Sequence, residues 1–355
     1  MTQTLAPAAT FATRLTAWQR THGRHDLPWQ NTRDPYRIWL SEIMLQQTQV
    51  GTVRGYYARF LERLPTVAAL ADATDDEVMA LWAGLGYYSR ARNLHQAAKR
   101  VLSEHKGQFP ATVEALARLP GIGRSTAAAI AAFAFDVRAP ILDGNVKRVL
   151  ARHAGIEGFP GTSAVERVLW QAAAKRLPDS TQDMVAYTQG LMDLGATICA
   201  RTDPRCLLCP VATDCVARDQ GRTAEIPASR PGKLIPQRAQ RYLLLTHARQ
   251  VLLVKRPPSG IWGGLWCLPE LADSEDAQSV ARLRFGVLSE DAAPIAMPAL
   301  DHGFTHFKLR LHPIAITATR IEPRAAEAAA TCWLGFDQLP GAALPAPIAR
   351  LLRQL

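Results

Sequence analysis

Four cysteines within seventeen residues, Cys199, Cys206, Cys209 and Cys215, constrain this chain more than any other feature. Their spacing is C-x6-C-x2-C-x5-C. Thiolates this close in sequence can wrap one compact metal centre, either a tetrahedral zinc or a cubane [4Fe–4S] cluster. Soft sulfur suits both metals, although zinc sites more often show two separated C-x2-C pairs. A disulfide framework is the other use of crowded cysteines, and it belongs to oxidising compartments. The opening stretch MTQTLAPAATFATRL lacks the basic-then-apolar order of a secretory signal. No apolar run approaches the roughly 18–20 residues needed to span a bilayer. A cytoplasmic setting, nucleoid-associated in a bacterium, with no membrane partner, is therefore expected. Cys267 and Cys332 stand far from the series and read as core cysteines.

Around this cluster, residues from about 10 to 220 read as mostly helical. ATVEALARL, RSTAAAIAAFAF, GNVKRVLARHAG and AVERVLWQAAAKRL carry apolar residues at three- and four-residue spacing. Turns fall at Leu119-Pro120-Gly121, Pro140, Pro160-Gly161 and Pro178. Residues 223–236 are rich in Pro and basic side chains, with little apolar patterning, and read as a linker. Beyond it, YLLLTHA, VLLVKRP and LRLHPIAITATRI read as strands, and TCWLGFDQL and PAPIARLLRQL as a strand and a terminal helix. The fold class expected is thus multidomain: an all-helical domain over 1–222, then a smaller α+β domain over 237–355. The chain carries 41 Lys+Arg against 31 Asp+Glu, a net +10, which admits a polyanionic partner such as nucleic acid.

One turn sharpens that. In LARLPGIGRSTAAAIA a helix is expected to end at Leu119, with a tight turn through Pro120-Gly121-Ile122-Gly123 and a new helix from about Arg124. Glycines at 121 and 123 permit positive φ and close backbone approach. Free N–H groups at the following helix start, which includes Ser125, form an anion site. This is the pattern of a helix-hairpin-helix element, which holds DNA by a phosphate without reading bases.

Two carboxylates stand out. Glu42 lies in WLSEIMLQQTQV, on an expected helix, and Asp143 in PILDGNVKRVL, just before another. Taken singly, Glu42 suits a solvated helix position and Asp143 an N-cap. Together with the hairpin and the cysteine series they form a constellation. That series resembles the cluster loop of the endonuclease III superfamily of DNA glycosylases. The motifs Leu40-Ser41-Glu42 through Gln46-Gln47-Thr48, Gly84-Leu85-Gly86-Tyr87-Tyr88 and Leu142-Asp143-Gly144-Asn145-Val146-Lys147-Arg148 resemble the MutY family of that superfamily almost residue for residue. Leu27-Pro28-Trp29 and Arg33 match it as well.

The resemblance implies one [4Fe–4S] cluster on the four cysteines, a six-helix barrel over about 29–134 and a cluster module from about 1–28 plus 135–222. It implies a monomeric, monofunctional base-excision enzyme acting on double-stranded DNA, removing adenine opposite 8-oxoguanine and guanine. Adenine leaves poorly as an anion, so the bond breaks once the purine is protonated, and a carboxyl buried in an apolar pocket can supply the proton. Glu42 is the candidate acid. Asp143 is the candidate stabiliser of the oxocarbenium-like sugar. The target base must be flipped out of the duplex, and the resemblance gives Gln47, Tyr87 and Asn145 roles as pocket or wedge residues. Endonuclease III-like relatives carry a Schiff-base Lys where this chain has Ser125, which cannot form an imine. A bifunctional glycosylase/lyase and a non-catalytic DNA-binding cluster protein are the alternatives.

In the second domain, RPPSGIWGGLWCLPE resembles the start of a Nudix, MutT-like domain. The following LADSEDAQSVARLRFG lacks the Arg-Glu-x-x-Glu-Glu series that binds magnesium in Nudix hydrolases. Recognition, rather than pyrophosphate hydrolysis, is expected of it. The resemblance assigns 8-oxoguanine reading to a Phe-Ser-His loop, which here reads Phe304-Thr305-His306.

Overall fold

The structure, a computed structural model, describes residues 9–232, 234–289, 293–322 and 331–355. The helices run α1 (Phe11–His22), α2 (Pro35–Leu45), α3 (Val50–Arg63), α4 (Val67–Asp72), α5 (Asp75–Trp82), α6 (Ser89–His105), α7 (Val113–Leu116), α8 (Arg124–Phe135), α9 (Gly144–Ala154), α10 (Ser163–Ala174), α11 (Met184–Asp193) and α12 (Val216–Asp219). Strands follow, with α13 (Ala277–Phe285) and α14 (Ala346–Leu352) between and after them. No helix among the described residues is long and apolar enough to cross a membrane.

The chain forms two compact units. The first comprises the described residues of Met1–Ala71 and Gln96–Gly232, and the second those of Asp72–His95 and Lys233–Leu355. Grouping 72–95 with the C-terminal part is not foreseeable from composition. Within the second unit, Lys255 Nζ meets Asp76 at 2.6 Å, and Arg92 donates to the Gly263 carbonyl at 2.6 Å. Neither charge pattern nor periodicity announces such long-range partners.

The first unit is all helical. Its core joins Leu15 of α1, Ala128 and Ala132 of α8, Val146 and Leu150 of α9, and Leu191 of α11. The alanines of α8 let neighbouring helices approach closely, so the Ala-rich stretch Ala127–Ala132 is buried on every side. α11 ends in a π-helical turn, Leu194–Ile198, which delivers the chain to Cys199. Such turns concentrate at functional sites.

The second unit is built on an eight-stranded sheet. Its spine is β10 (Thr331–Gly335), β2 (Gln250–Lys255), β1 (Gln237–His247), β8 (Lys308–Thr317) and β6 (Ile295–Ala296). Strands β3 (Trp266–Cys267), β4 (Glu270–Leu271) and β7 (Leu300–Gly303) pair at its margins, and β5 (Val287–Leu288) with β9 (Arg320–Ile321) forms a separate ribbon. The two- to four-residue strands were not readable from sequence, being too short to show alternation. β1 and β8 run parallel in register from Gln237↔Lys308 to Thr246↔Thr317. Leu243, Leu245, Leu252, Ile316 and Phe285 fill the core beneath. Cys267 is buried there, while Cys332 is only half-buried.

Candidate active site and cysteine pocket

Asp34 caps the start of α2 by accepting from the Tyr36 N–H at 2.9 Å, and Pro35 sets the first helical φ. Trp39, Leu40, Ile43 and Met44 turn into the core, which leaves Glu42 on the margin of that buried stripe. There it lines a cavity of about 480 Å³, together with Leu27, Trp29, Ile38, Asp143 and Asn145. The Glu42 carboxyl is pushed up to about 8, first by burial and then by the charge of Asp143. Its residual exposure is to the cavity it lines.

Asp143 is the N-cap of α9, accepting from the Val146 N–H at 2.7 Å. Burial raises its carboxyl, while backbone donors at Val146 and Asn145 and the cations Arg148 and Lys147 pull the other way. Both carboxyls are raised by burial, but only Asp143 also has backbone donors and cations working against that rise. Ser125 faces the same segment, its Oγ accepting from the Leu142 N–H at 2.8 Å. Asn145 accepts from Arg148 at 3.0 Å, and Arg148 also holds the carbonyls of Gly195 at 2.6 Å and Cys199 at 2.8 Å.

One buried group that holds two of the cavity's lining side chains escaped sequence reading. Asp193 is fully buried and takes Arg24 Nε at 2.7 Å, the Arg24 N–H at 2.9 Å and Gln189 at 2.8 Å. Arg24 and Gln189 both face the cavity. The only signal was an acid within an apolar run six residues before Cys199, which the eye takes for a helix surface.

The hairpin needs two corrections. Its first helix stops at Leu116, and turns carry the chain through Leu119 to Gly123. Gly121 adopts the left-handed φ of +77°, but Gly123 does not: at φ −83° it is the N-cap of α8. Gly123 supplies no capping side chain, and space stands open where its Cβ would be. The first N–H groups of α8 are therefore left for an external anion, with Pro120, Ile122 and Ser125 alongside in sequence. Arg124 stacks on Trp170 at 4.0 Å.

Gln47 and Tyr87 share a property without lining the cavity. Both hold left-handed backbone, φ +58° and +48°, and both are exposed. Non-glycine residues in that region are strained and gather at functional sites. Tyr87 lies in the second unit, flanked by Gly86 and covered by the Arg90 guanidinium.

Cys199, Cys206, Cys209 and Cys215 are all free thiols and line one small pocket of about 20 Å³. No carboxylate lines it. Arg152, itself buried, donates to Cys199 Sγ at 3.3 Å and to the carbonyls of Ala200, Arg201 and Ile226. Arg14 and His153 grip Asp214 beside Cys215, at 2.5 and 3.2 Å. Among the described residues no three Cys, His, Asp or Glu side chains converge on a single ion.

In the second unit Phe304 is anchored: it stacks on Phe307 at 4.6 Å and meets His302 edge-on at 4.7 Å. Thr305 and His306 project at the exposed tip. α13 occupies the place of the Nudix carboxylate helix, and its sequence AQSVARLRF contains no acid.

Residues 40–175 match the family model described as HhH-GPD superfamily base excision DNA repair protein, and residues 241–354 match that of a NUDIX domain. The chain is 34% identical over 342 residues to the adenine DNA glycosylase of Buchnera aphidicola subsp. Acyrthosiphon pisum (strain APS), covering 96% of each chain. It is 32% identical to the Homo sapiens adenine DNA glycosylase over 411 residues, covering 98% of this chain and 74% of that one. Among solved structures, a thermostable thymine-DNA glycosylase superposes with a TM-score of 0.52 at 29% identity, covering 59% of this chain and 95% of that chain.

Proposed function

The chain belongs to the adenine DNA glycosylases, and from that premise we propose that it removes adenine opposite 8-oxoguanine and opposite guanine by monofunctional hydrolysis of the N-glycosidic bond. The observation carrying this reading is the shared cavity of Glu42 and Asp143, with the Glu42 carboxyl pushed up to about 8. At neutral pH Glu42 therefore carries a proton, which it passes to the flipped adenine as the C–N bond lengthens. The bonding electrons leave with the base. Asp143, fixed at the head of α9, stabilises the positive charge growing on the sugar. Water then adds to the sugar carbon, its released proton returns to the Glu42 carboxylate, and an abasic site is left. Gln47 and Tyr87, each exposed and with left-handed backbone, are the residues assigned to the vacated stack. Asn145 sets the wall beside Asp143, and the N–H groups at Gly123–Ser125 hold a backbone phosphate.

Ser125 supports the monofunctional reading twice over. It has no amine, and its hydroxyl is occupied by the Leu142 N–H. On the cysteines, four thiols lining one pocket with no carboxylate among its lining residues suit a [4Fe–4S] cluster. Such a cluster is structural, ordering the loop Cys199–Cys215. Recognition of 8-oxoguanine falls to Thr305 and His306, whose polar side chains stand clear of the Phe304 anchor.

The deciding experiment is single-turnover excision on duplexes with adenine opposite 8-oxoguanine, guanine or thymine, combined with borohydride trapping. Free adenine, an intact abasic strand and no trapped adduct support the reading. A stoichiometric covalent adduct would make the enzyme a lyase instead.

A further inference from the structure

Resting on the reading that the Phe304–His306 loop faces the strand opposite the target adenine, we propose that the sheet at the base of that loop is a phosphate track for the same strand. Lys308 and Arg310 are its principal cations. The hairpin β7–β8 carries the loop at its tip, and a cleft of about 470 Å³ opens at its base.

The strand registers define the cleft. Lys308 lies between Gln237 of β1 and Gly303 of β7, and Arg310 between Ala239 and Asp301. Along β8 exposure alternates, Lys308, Arg310 and His312 facing out while Leu309, Leu311 and Pro313 face in. The outer face therefore carries Lys308 and Arg310 side by side, about 6.6 Å apart at the strand rise, with His312 next along the strand. Ala239 and Gly303 form a shallow floor between the long side chains, with open space where a Gly303 Cβ would stand. Arg310 is forked onto Asp301 at 2.8 and 2.9 Å, so one of the charges is already met. Lys308 is exposed; its charge helps hold the Asp301 carboxyl below the usual range, but the direct ion pair of Asp301 is with Arg310. Its backbone is pinned by the Lys308 N–H to Pro236 carbonyl bond at 2.9 Å. Arg238 pairs with the inward-facing Leu309, so it belongs to the other face, where its guanidinium sits over Phe307 at 4.7 Å and backs the ring that holds Phe304.

Two cations against one carboxylate, on a rigid sheet immediately after the reading loop, leave a net positive charge on the face that a polyanion running past the hairpin would meet. The cleft offers no unpartnered aromatic face for a base and no pocket closed around a nucleotide. Its contacts are those that position a backbone without reading sequence.

The test is the salt dependence of binding by the full-length protein. The probes are duplexes carrying 8-oxoguanine or guanine opposite a 2′-fluoro-adenosine, which resists excision. Each phosphate contact contributes about 0.9 to the slope of log K against log salt. Lys308→Gln should reduce that slope by about 0.9, weaken both duplexes several-fold and equally, and leave thermal stability unchanged. Lys308→Arg should restore the slope. Asp301→Asn, by freeing Arg310, should steepen it. An unchanged slope in Lys308→Gln combined with Arg310→Gln overturns the track. So does a Lys308→Gln effect confined to the 8-oxoguanine duplex, which would mean base reading, or tighter competition by free deoxyguanosine triphosphate than by an equal charge of DNA. Thr305→Ala with His306→Ala tests the loop separately: it should change the preference between duplexes and leave the slope alone.

Discussion

Gly195 lies so close to Asn145 that a Cβ added at 195 would stand 2.7 Å from the Asn145 Cβ. The π-helical turn that leads into Cys199 is thereby packed against the first turn of the helix that Asp143 caps. Gly195→Ala should push the two apart. We expect a loss of about 1–3 kcal/mol in stability, the usual result of overpacking. Excision should fall further than the unfolded fraction accounts for. Denaturant titration and active-site counting on the same sample separate the two. Full activity per folded molecule would show that the contact does not transmit to Asp143.

Excision should follow the protonation of Glu42. With its carboxyl pushed up to about 8 by burial and by Asp143, the acid form dominates at neutral pH and is lost above that value. A profile of kcat/KM should therefore decline as pH rises through about 8. Glu42→Gln keeps the shape without the proton and should cost about 10²- to 10⁴-fold in single-turnover rate. Duplex binding should be retained. A flat profile to pH 9 would remove Glu42 from the acid role.

Asp143 has two duties that substitution can separate. Asn still caps a helix, so Asp143→Asn should keep α9 and lose the charge facing the sugar. Asp143→Ala loses both, with a further cost of about 1 kcal/mol for the missing cap. Equal inactivity with unequal melting temperatures is the expected pattern. An active Asn variant would leave Asp143 with the cap alone.

The purified protein should be brown and carry about four irons per chain. Arg152→Gln removes the donor to Cys199 Sγ and three carbonyl contacts at once. Iron release to a chelator, followed by visible absorption, should be faster in that variant than in the parent. Stoichiometric zinc after anaerobic purification would replace the cluster assignment.

Much of the site was readable because its residues sit in unbroken local patterns. Asp143 precedes an amphipathic helix, Gly121 demands a left-handed turn, and the cysteines are neighbours in sequence. What stayed hidden depends on distant partners. Asp193 becomes meaningful only when Arg24 reaches it across 169 residues. Residues 72–95 read as ordinary helix, yet group with the C-terminal sheet through Lys255 and Gly263. Truncation at the linker would strip those partners, so point changes at Thr305 and His306 are the sounder probe of lesion reading. Gly123 was misjudged because glycine tells of permission, while the φ it adopts is set by the helix it caps.

The burial that holds a proton on Glu42 also sets how durable the protein is. The folded state binds that proton more tightly than the unfolded chain, whose carboxyl titrates in the ordinary range. From roughly pH 4.5 to 8 the unfolded chain gives up the proton and the native state keeps it. This group therefore subtracts stability progressively as pH rises through that window, and no further above it. Glu42→Gln abolishes the difference, so the inactive variant should melt higher than the parent at pH 8 and converge with it near pH 5.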